Sequence, residues 1–246
     1  MTRTLAWLNP RDPLPPSAQA LTEAEGANGL LAAGADMSRD RLLEAYSKGI
    51  FPWFSEGEPV LWWAPDPRMV LMLEEFKVST SFRKILRKAC QEPDLQIVMD
   101  RDFHHVMRAC AAPRHADGGT WINPMMIEAY RELHAQGLAH SIELMHRDES
   151  IGGLYCVSLG QMVFGESMFS RESGASKIAL AALVGWLQRH GGLMIDCQQR
   201  TAHLASLGGR EIARAEFESM MQPLVARSPL PWALHPVSKT DLARWE

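Results

Sequence analysis

The chain has 246 residues, of which 46% are hydrophobic and 22% charged, and its formal net charge at pH 7 is −4. That length accommodates one large domain or two modest ones with a real core. The charge excludes a protein that is basic throughout, although it is compatible with a local basic patch for nucleic acid. Residues 1–5 carry no basic segment leading into an apolar one, and no apolar run approaches the ~20 residues of a membrane span. We therefore expect a cytoplasmic protein without a membrane partner.

The first predicted helix follows a proline-rich segment, residues 1–28, in which prolines prevent a continuous helix. Ser38 is a good N-cap, and Gly49 ends the helix. Between them Leu42 and Tyr46 are spaced to share one face. The sequence thus predicts a short helical unit that packs through this face.

A stretch rich in aromatic residues comes next. Its tryptophans are Trp53, Trp62 and Trp63. Prolines keep this stretch in loops, so the rings form either a small aromatic core or a platform that stacks on bases, and composition alone favours the core. Pro65 and Pro67 are the best linker candidate in the chain. We therefore predict a small N-terminal domain with the aromatic platform, residues 1–66, and a second domain, residues 67–246.

A cluster of positive charge is predicted on a helix capped by Ser79 or Ser81. Its cations are Arg83, Lys84, Arg87 and Lys88. They form i,i+4 pairs along one helix surface, with Ile85 and Leu86 turned inward. Such a run is usually a solvated face, but like charges at this spacing repel each other, and a polyanion would relieve that repulsion. Phosphate contact and simple solvation both remain open on this evidence.

The middle of the chain offers no metal site. Residues 102–107 predict a helix and residues 113–119 a loop. Adjacent residues His104 and His105 cannot both face one ion from a regular helix, and no His-x-x-x-His pair is present. The four cysteines are far apart and lack zinc spacing, which predicts free thiols. We therefore expect no metal site.

The second half of the chain is denser in strands, predicted over residues 141–145, 151–159 and 161–164. A helix over residues 175–190 is apolar nearly all round, so we expect it to be buried against a sheet. Antiparallel-looking strands with a few intervening helices predict an α+β fold.

Two strand-like apolar runs end in polar side chains that suggest a site. One run ends at Glu166 and the other at Asp196 and Gln198. Residues i and i+2 of a strand point the same way, so a carboxylate and an amide would stand side by side while Cys197 faces away. For either run alone a helix cap or turn is the more frequent reading. Together they predict a cleft between strand ends.

At this point the chain resembles the bacterial leucyl/phenylalanyl-tRNA–protein transferase family. The resemblance rests on seven blocks in the family's order: Asn28–Leu31, Gly49–Phe54, Trp62–Arg68, Gly119–Ile122, Gly165–Ser170, Asp196–Gln198 and Ser206–Gly208. It implies an N-terminal domain joined to an acetyltransferase-like (GNAT) domain. It also implies transfer of Leu or Phe, less readily Met, from aminoacyl-tRNA to the α-amine of proteins that begin with Arg or Lys, which marks them for degradation. No cofactor is implied.

The resemblance also implies roles for individual residues. Asp196 would orient Gln198, Gln198 would hydrogen-bond the attacking amine, and Glu166 would supply negative potential for the cationic acceptor. The tryptophans placed to contact the terminal adenosine would be Trp53 and Trp121. The amino-acid pocket would comprise Leu154, Val163, Leu180 and Ile195, and the cation cluster from Arg83 to Lys88 would contact the acceptor arm of the tRNA. Leu183 stands where some relatives carry an aromatic residue, which puts the donor preference in question.

Two other functions compete with this interpretation. An acyl-CoA N-acetyltransferase on the same fold usually carries a Gln/Arg-x-x-Gly-x-Gly/Ala turn at a helix start, and we identify no such turn around Gly174. A non-enzymatic RNA-binding module would use the tryptophans and the basic helix. That alternative leaves the carboxylates and the amide at the predicted cleft without a purpose.

Overall fold

The computed structural model describes residues 5–112 and 120–245, so the loop predicted for residues 113–119 lies outside the described residues. The strands are β1 (Ala6–Leu8), β2 (Leu30–Gly34), β3 (Phe51–Pro52), β4 (Leu61–Trp63), β5 (Arg68–Met72), β6 (Leu95–Met99), β7 (Ala139–His146), β8 (Glu149–Leu159), β9 (Met162–Ser170), β10 (Met194–Gln198) and β11 (Arg210–Ile212). The helices are α1 (Arg39–Ser47), α2 (Thr80–Gln91), α3 (Phe103–Ala111), α4 (Pro124–Ala135), α5 (Ala175–Arg189), α6 (Ala202–Ser206) and α7 (Arg214–Val225).

These elements form two sheets. A four-stranded sheet of order β1-β2-β4-β3 lies in the N-terminal part, and a seven-stranded sheet of order β11-β5-β10-β9-β8-β7-β6 follows. In the larger sheet β9 and β10 run parallel, whereas the other neighbours are antiparallel. The predicted mixture of helices and mainly antiparallel strands is confirmed, with a small N-terminal domain and a larger C-terminal one.

Helix α5 is buried against one face of the larger sheet, as its apolar sequence predicts. Its other side is covered by the C-terminal segment, where the Trp245 indole N–H donates to the carbonyl of Ala181 at 3.3 Å. A Cβ atom at Gly185 would lie 2.2 Å from the carbonyl oxygen of Asp241. Glycine is therefore required where the C-terminal segment crosses the helix.

The opposite face of the larger sheet packs against the small domain and α1, α3, α4 and α7. One hydrophobic core joins them and contains Trp62 of the small domain, Phe164 of β9 and Phe217 of α7. The predicted boundary after residue 66 falls between β4 and β5, and it stays a prediction because this core continues across it. Across residues 5–112 and 120–245, no helix combines the length and apolar character needed to cross a membrane.

Candidate active site

A cavity opens in the larger sheet where two parallel strands separate. β9 pairs with β10 only at Val163–Ile195 and Phe164–Asp196, and beyond these pairs the strands enclose a cavity of about 910 Å³. The lining residues used below are Phe51, Trp53, Trp121, Leu154, Glu166, Leu180, Leu183, Ile195 and Gln198. Because some of these belong to the core beneath α5 and others to the core facing the small domain, the cavity reaches both faces of the sheet.

The apolar part of the cavity lies against α5. Leu154, Leu180 and Ile195, all predicted pocket residues, line it. Val163 is placed differently: it is fully buried beside Ile195, its partner across the strands, and it supports the wall from behind rather than lining it. Leu183, one turn of α5 beyond Leu180, completes the lining. The apolar lining of this part of the cavity suits a hydrophobic side chain.

Asp196 is held by an ion pair that the sequence did not reveal. The Arg68 guanidinium donates from Nε to Oδ1 at 2.8 Å and from Nη2 to Oδ2 at 2.6 Å, and both side chains are essentially inaccessible to solvent. The rings of Phe51 and Phe217 lie 4.8 Å and 4.7 Å from the guanidinium carbon. A bidentate pair of this kind fixes the carboxylate in position.

Gln198 leaves the regular strand, which corrects the expected side-by-side arrangement. A bulge separates Asp196 from Gln198, and the backbone of Gln198 has a φ of 57°. Residues other than glycine rarely adopt this left-handed conformation. Asp196 contacts this residue through the backbone, because the Gln198 N–H donates to Oδ1 at 3.0 Å. The side-chain amide instead donates from Nε2 to Glu166 Oε1 at 3.2 Å.

Glu166 accepts hydrogen bonds from two tyrosines. Tyr46 on α1 donates to Oε1 at 2.7 Å and Tyr130 on α4 donates to Oε2 at 3.3 Å, while the two hydroxyl groups also contact each other. The pKa of the Glu166 carboxyl is raised to about 8, chiefly because the group is removed from water; the Asp196 charge adds to the increase, and the hydrogen bonds from the tyrosines offset part of it. The same burial raises the pKa of both tyrosines well above its usual value.

The tyrosines are functional candidates that the sequence interpretation did not single out. The chain contains three: Tyr46, Tyr130 and Tyr155. Tyr155 also lies beside Glu166, with its ring edge-on to that of Tyr130 at 5.9 Å. Helical spacing is consistent with the burial of Tyr46 and Tyr130, but it carries no information about which polar group a buried hydroxyl contacts. The one sequence feature that could have drawn attention to these residues is that the chain contains only three tyrosines.

The two tryptophans expected at the terminal adenosine both line the cavity. Trp53 is 37% exposed, and Trp121 is half-buried. The Trp53 ring lies 5.3 Å from that of Trp63, whose indole N–H donates to the Trp53 carbonyl at 2.7 Å. A partly exposed ring at a cavity wall is free to stack on a planar ligand.

The predicted basic cluster lies on the outer surface of α2. Lys84, Arg87 and Lys88 are exposed, whereas Arg83 donates to the carbonyl of Trp245 at 3.0 Å and is half-buried. The expectation that Ile85 turns inward is wrong, since this side chain is 40% exposed and lies near Gly174 at the start of α5. The cationic surface therefore borders the segment that leads from the cavity into α5.

Metal and thiol chemistry find no support at the cavity. Within the described part of the chain, one group of possible ligands, Glu92, Asp94 and His146, has its donor atoms within 4.8 Å of one another, but Arg147 already donates to Asp94 at 2.9 Å. Cys90, Cys110, Cys156 and Cys197 all lie in the described part of the chain and form no disulfide, as predicted. Burial raises the pKa of the Cys197 thiol, which keeps it protonated.

Comparison with known proteins identifies the chain. The family model described as leucyl/phenylalanyl-tRNA protein transferase matches residues 70–222, and the model of its N-terminal domain matches residues 35–66. The protein of this name from Burkholderia multivorans is 56% identical over 227 residues, covering 92% of this chain and 89% of its own length. The one from Paraburkholderia phymatum is 55% identical over 237 residues, covering 96% and 97%.

These matches define the class first: the chain is a transferase enzyme, specifically an aminoacyltransferase. It belongs to the leucyl/phenylalanyl-tRNA protein transferase family. Among solved structures, the chain is similar to L-PGS from Bacillus licheniformis at 13% identity and a TM-score of 0.38, covering 71% of this chain and 57% of that one. A likeness at that level supports no conclusion about either fold or function.

Proposed function

We propose that the enzyme transfers Leu or Phe, and less readily Met, from aminoacyl-tRNA to the α-amine of proteins that begin with Arg or Lys. The product carries a new N-terminal residue that marks it for degradation. The observation that carries this proposal is the position of Gln198: at the wall of an apolar cavity, its N–H is bound by Asp196 and its amide by Glu166. Because a charged tRNA is the donor, the proposed site of action is the cytoplasm.

The donor ester is already activated, so the enzyme mainly has to align an amine with it. With its nitrogen bound to Glu166, the Gln198 amide directs its oxygen away from that carboxylate, where it can accept a hydrogen bond from the attacking amine. Asp196 acts as a positioning residue, since it fixes the backbone of Gln198 and is itself fixed by Arg68. An amide is a poor proton acceptor, so Gln198 positions the amine rather than deprotonating it.

The same geometry supports the proposed donor contacts. The side chain of the transferred residue would occupy the space among Leu154, Leu180 and Ile195, and the terminal adenosine would stack between Trp53 and Trp121. Lys84, Arg87 and Lys88, and the neighbouring Arg83, would bind phosphates of the acceptor arm, which position the tRNA without reading its sequence. The separation of β9 from β10 next to a buried helix is consistent with our proposal of a GNAT-like domain covering residues 67–246.

The decisive experiment measures transfer of labelled Leu, Phe and Met from charged tRNA to two peptides, one beginning with Arg and one with Met. We expect transfer to the Arg peptide alone. Gln198→Ala should abolish this transfer, whereas the matched control Gln96→Ala, at an exposed position on β6, should retain it. No transfer in any combination, with tRNA still bound, would instead favour the RNA-binding module.

A further inference from the structure

The two carboxylates at the cavity are held by partners of different kinds. Each Asp196 oxygen accepts a hydrogen bond from Arg68, and Oδ1 also accepts the Gln198 N–H. A proton arriving at Asp196 would therefore have to displace a buried cation from a bidentate pair. This carboxylate is poorly suited to receive the proton that aminolysis releases.

The Glu166 carboxylate is bound by neutral donors. Gln198 and Tyr46 both donate to Oε1, at 3.2 Å and 2.7 Å, whereas Oε2 accepts one long bond of 3.3 Å from Tyr130. Oε2 therefore retains the greater capacity to accept a proton. A tyrosine hydroxyl can both donate and accept, so after protonation it can turn to accept from the carboxyl.

We propose that Glu166 accepts the proton of the attacking α-amine, with Tyr46 and Tyr130 holding its carboxyl group in both protonation states. This role rests on the proposed function and adds a chemical step to it. The placement follows from the Gln198 amide, which bonds Glu166 through its nitrogen and meets the amine with its oxygen. Glu166 also lines the cavity and its Oε1 lies 3.2 Å from Gln198 Nε2, so it is the carboxylate next to the Gln198 amide that binds the amine.

The step balances without a cofactor. One proton leaves the acceptor α-ammonium for Glu166, and the freed lone pair attacks the carbonyl carbon of the donor ester, forming the C–N bond. The ester C–O bond to the ribose then breaks, and the departing ribose oxygen takes a second proton from the same nitrogen. Glu166 returns its proton to solvent, so one peptide bond, one ribose hydroxyl and one released proton result.

Burial and the groups that face Glu166 together set its basicity. Burial raises its pKa most and the Asp196 charge adds to this, whereas the hydrogen bonds from Tyr46 and Tyr130 and the Arg68 charge lower it. The surrounding tyrosines, Tyr155 included, stay neutral. The resulting pKa of about 8 is close to that of an N-terminal ammonium, about 7.7–8.0. Donor and acceptor of the proton are thus matched, which favours general-base catalysis near neutral pH.

Chemical rescue tests the proposal. Single-turnover transfer to a saturating Arg peptide should fall about 10²–10⁴-fold in Glu166→Gln, which keeps the side-chain shape, with little change in the KM of the peptide. In Glu166→Ala, acetate should restore the maximal rate at least about tenfold, whereas methanesulfonate, an anion of similar size and negligible basicity, should not. Tyr46→Phe should shift the pH midpoint of transfer, whereas the surface variant Gln96→Ala on β6 should leave that midpoint in place.

Three outcomes would overturn the role of Glu166: a maximal rate in Glu166→Gln within about threefold of wild type, equal rescue by both anions, or rescue by neither. Equal rescue would assign Glu166 a purely electrostatic role toward the cationic acceptor. Absence of transfer by the wild-type enzyme at every pH would instead refute the proposed function, so the two failures are distinct.

Discussion

The ion pair between Arg68 and Asp196 allows a quantitative test of how the site is supported. Arg68→Met retains an apolar chain between the rings of Phe51 and Phe217 but leaves the Asp196 carboxylate buried without its cation. Removing one partner of such a pair costs about 3–5 kcal/mol of unfolding free energy, because the remaining charge is uncompensated. We expect Arg68→Met to lose that amount, and Asp196→Asn to lose a comparable one.

Urea unfolding followed by tryptophan fluorescence measures this loss at fixed pH. The double variant Arg68→Met with Asp196→Asn should recover at least about half of the summed single losses, since no unpaired charge remains. Arg147→Met is the matched control. Its partner Asp94 lies 2.9 Å away, but the side chains are 76% and 45% exposed, so a change of about 0–1 kcal/mol is expected.

A loss below about 1 kcal/mol in Arg68→Met, or strictly additive losses in the double variant, would refute this account. Either result would mean that the buried carboxylate is stabilised by something other than the guanidinium. The positioning role of Asp196 toward Gln198 would then need a different support.

Three further predictions follow from the cavity and its surroundings. Leu183→Ala should shift the Phe-to-Leu transfer ratio toward Phe by up to about 10-fold in kcat/KM, because it enlarges the apolar space; donor competition assays measure this. Replacing Lys84 and Lys88 by Glu should weaken tRNA binding and flatten its salt dependence, measured by filter binding, whereas Arg39→Glu on α1 should change neither. The Glu166 pKa is about 8 in the folded state and near 4.5 in the unfolded state, so the stability that this group confers is complete below pH 4.5 and is lost as pH rises through 8. Urea unfolding midpoints of the wild type should therefore fall relative to those of Glu166→Gln between pH 4.5 and 8.

Local patterns were sufficient to predict most elements. The apolar run from Ala175 and the strand ending at Asp196 are confirmed, because burial in both is encoded by periodicity and composition. The error at Ile85 has the same origin: a helix pattern specifies which faces are apolar but not how far a neighbouring segment extends over them. The exposure of Ile85 depends on which neighbouring segments cover it in the folded protein.

The contacts that build the site were much harder to predict. Arg68 opens a strand whose remaining residues are apolar, and such a charge implies a buried partner without identifying it. Residues 46, 130 and 166 meet from α1, α4 and β9, and no local rule relates them. The bulge at Gln198 lacks the glycine that usually marks a left-handed residue, so the expected strand alternation failed at that position.

That left-handed conformation connects the stability of the site to its chemistry. A residue with a side chain held there costs of order 1–3 kcal/mol, and glycine would remove the strain together with the amide. The bond from the Gln198 N–H to Asp196 offsets part of this cost, and it requires a carboxylate that is held in a fixed position. Arg68 meets that requirement. The ion pair therefore maintains a strained backbone that places the Gln198 amide against Glu166, which leaves Glu166, with neutral partners, as the carboxylate able to exchange a proton.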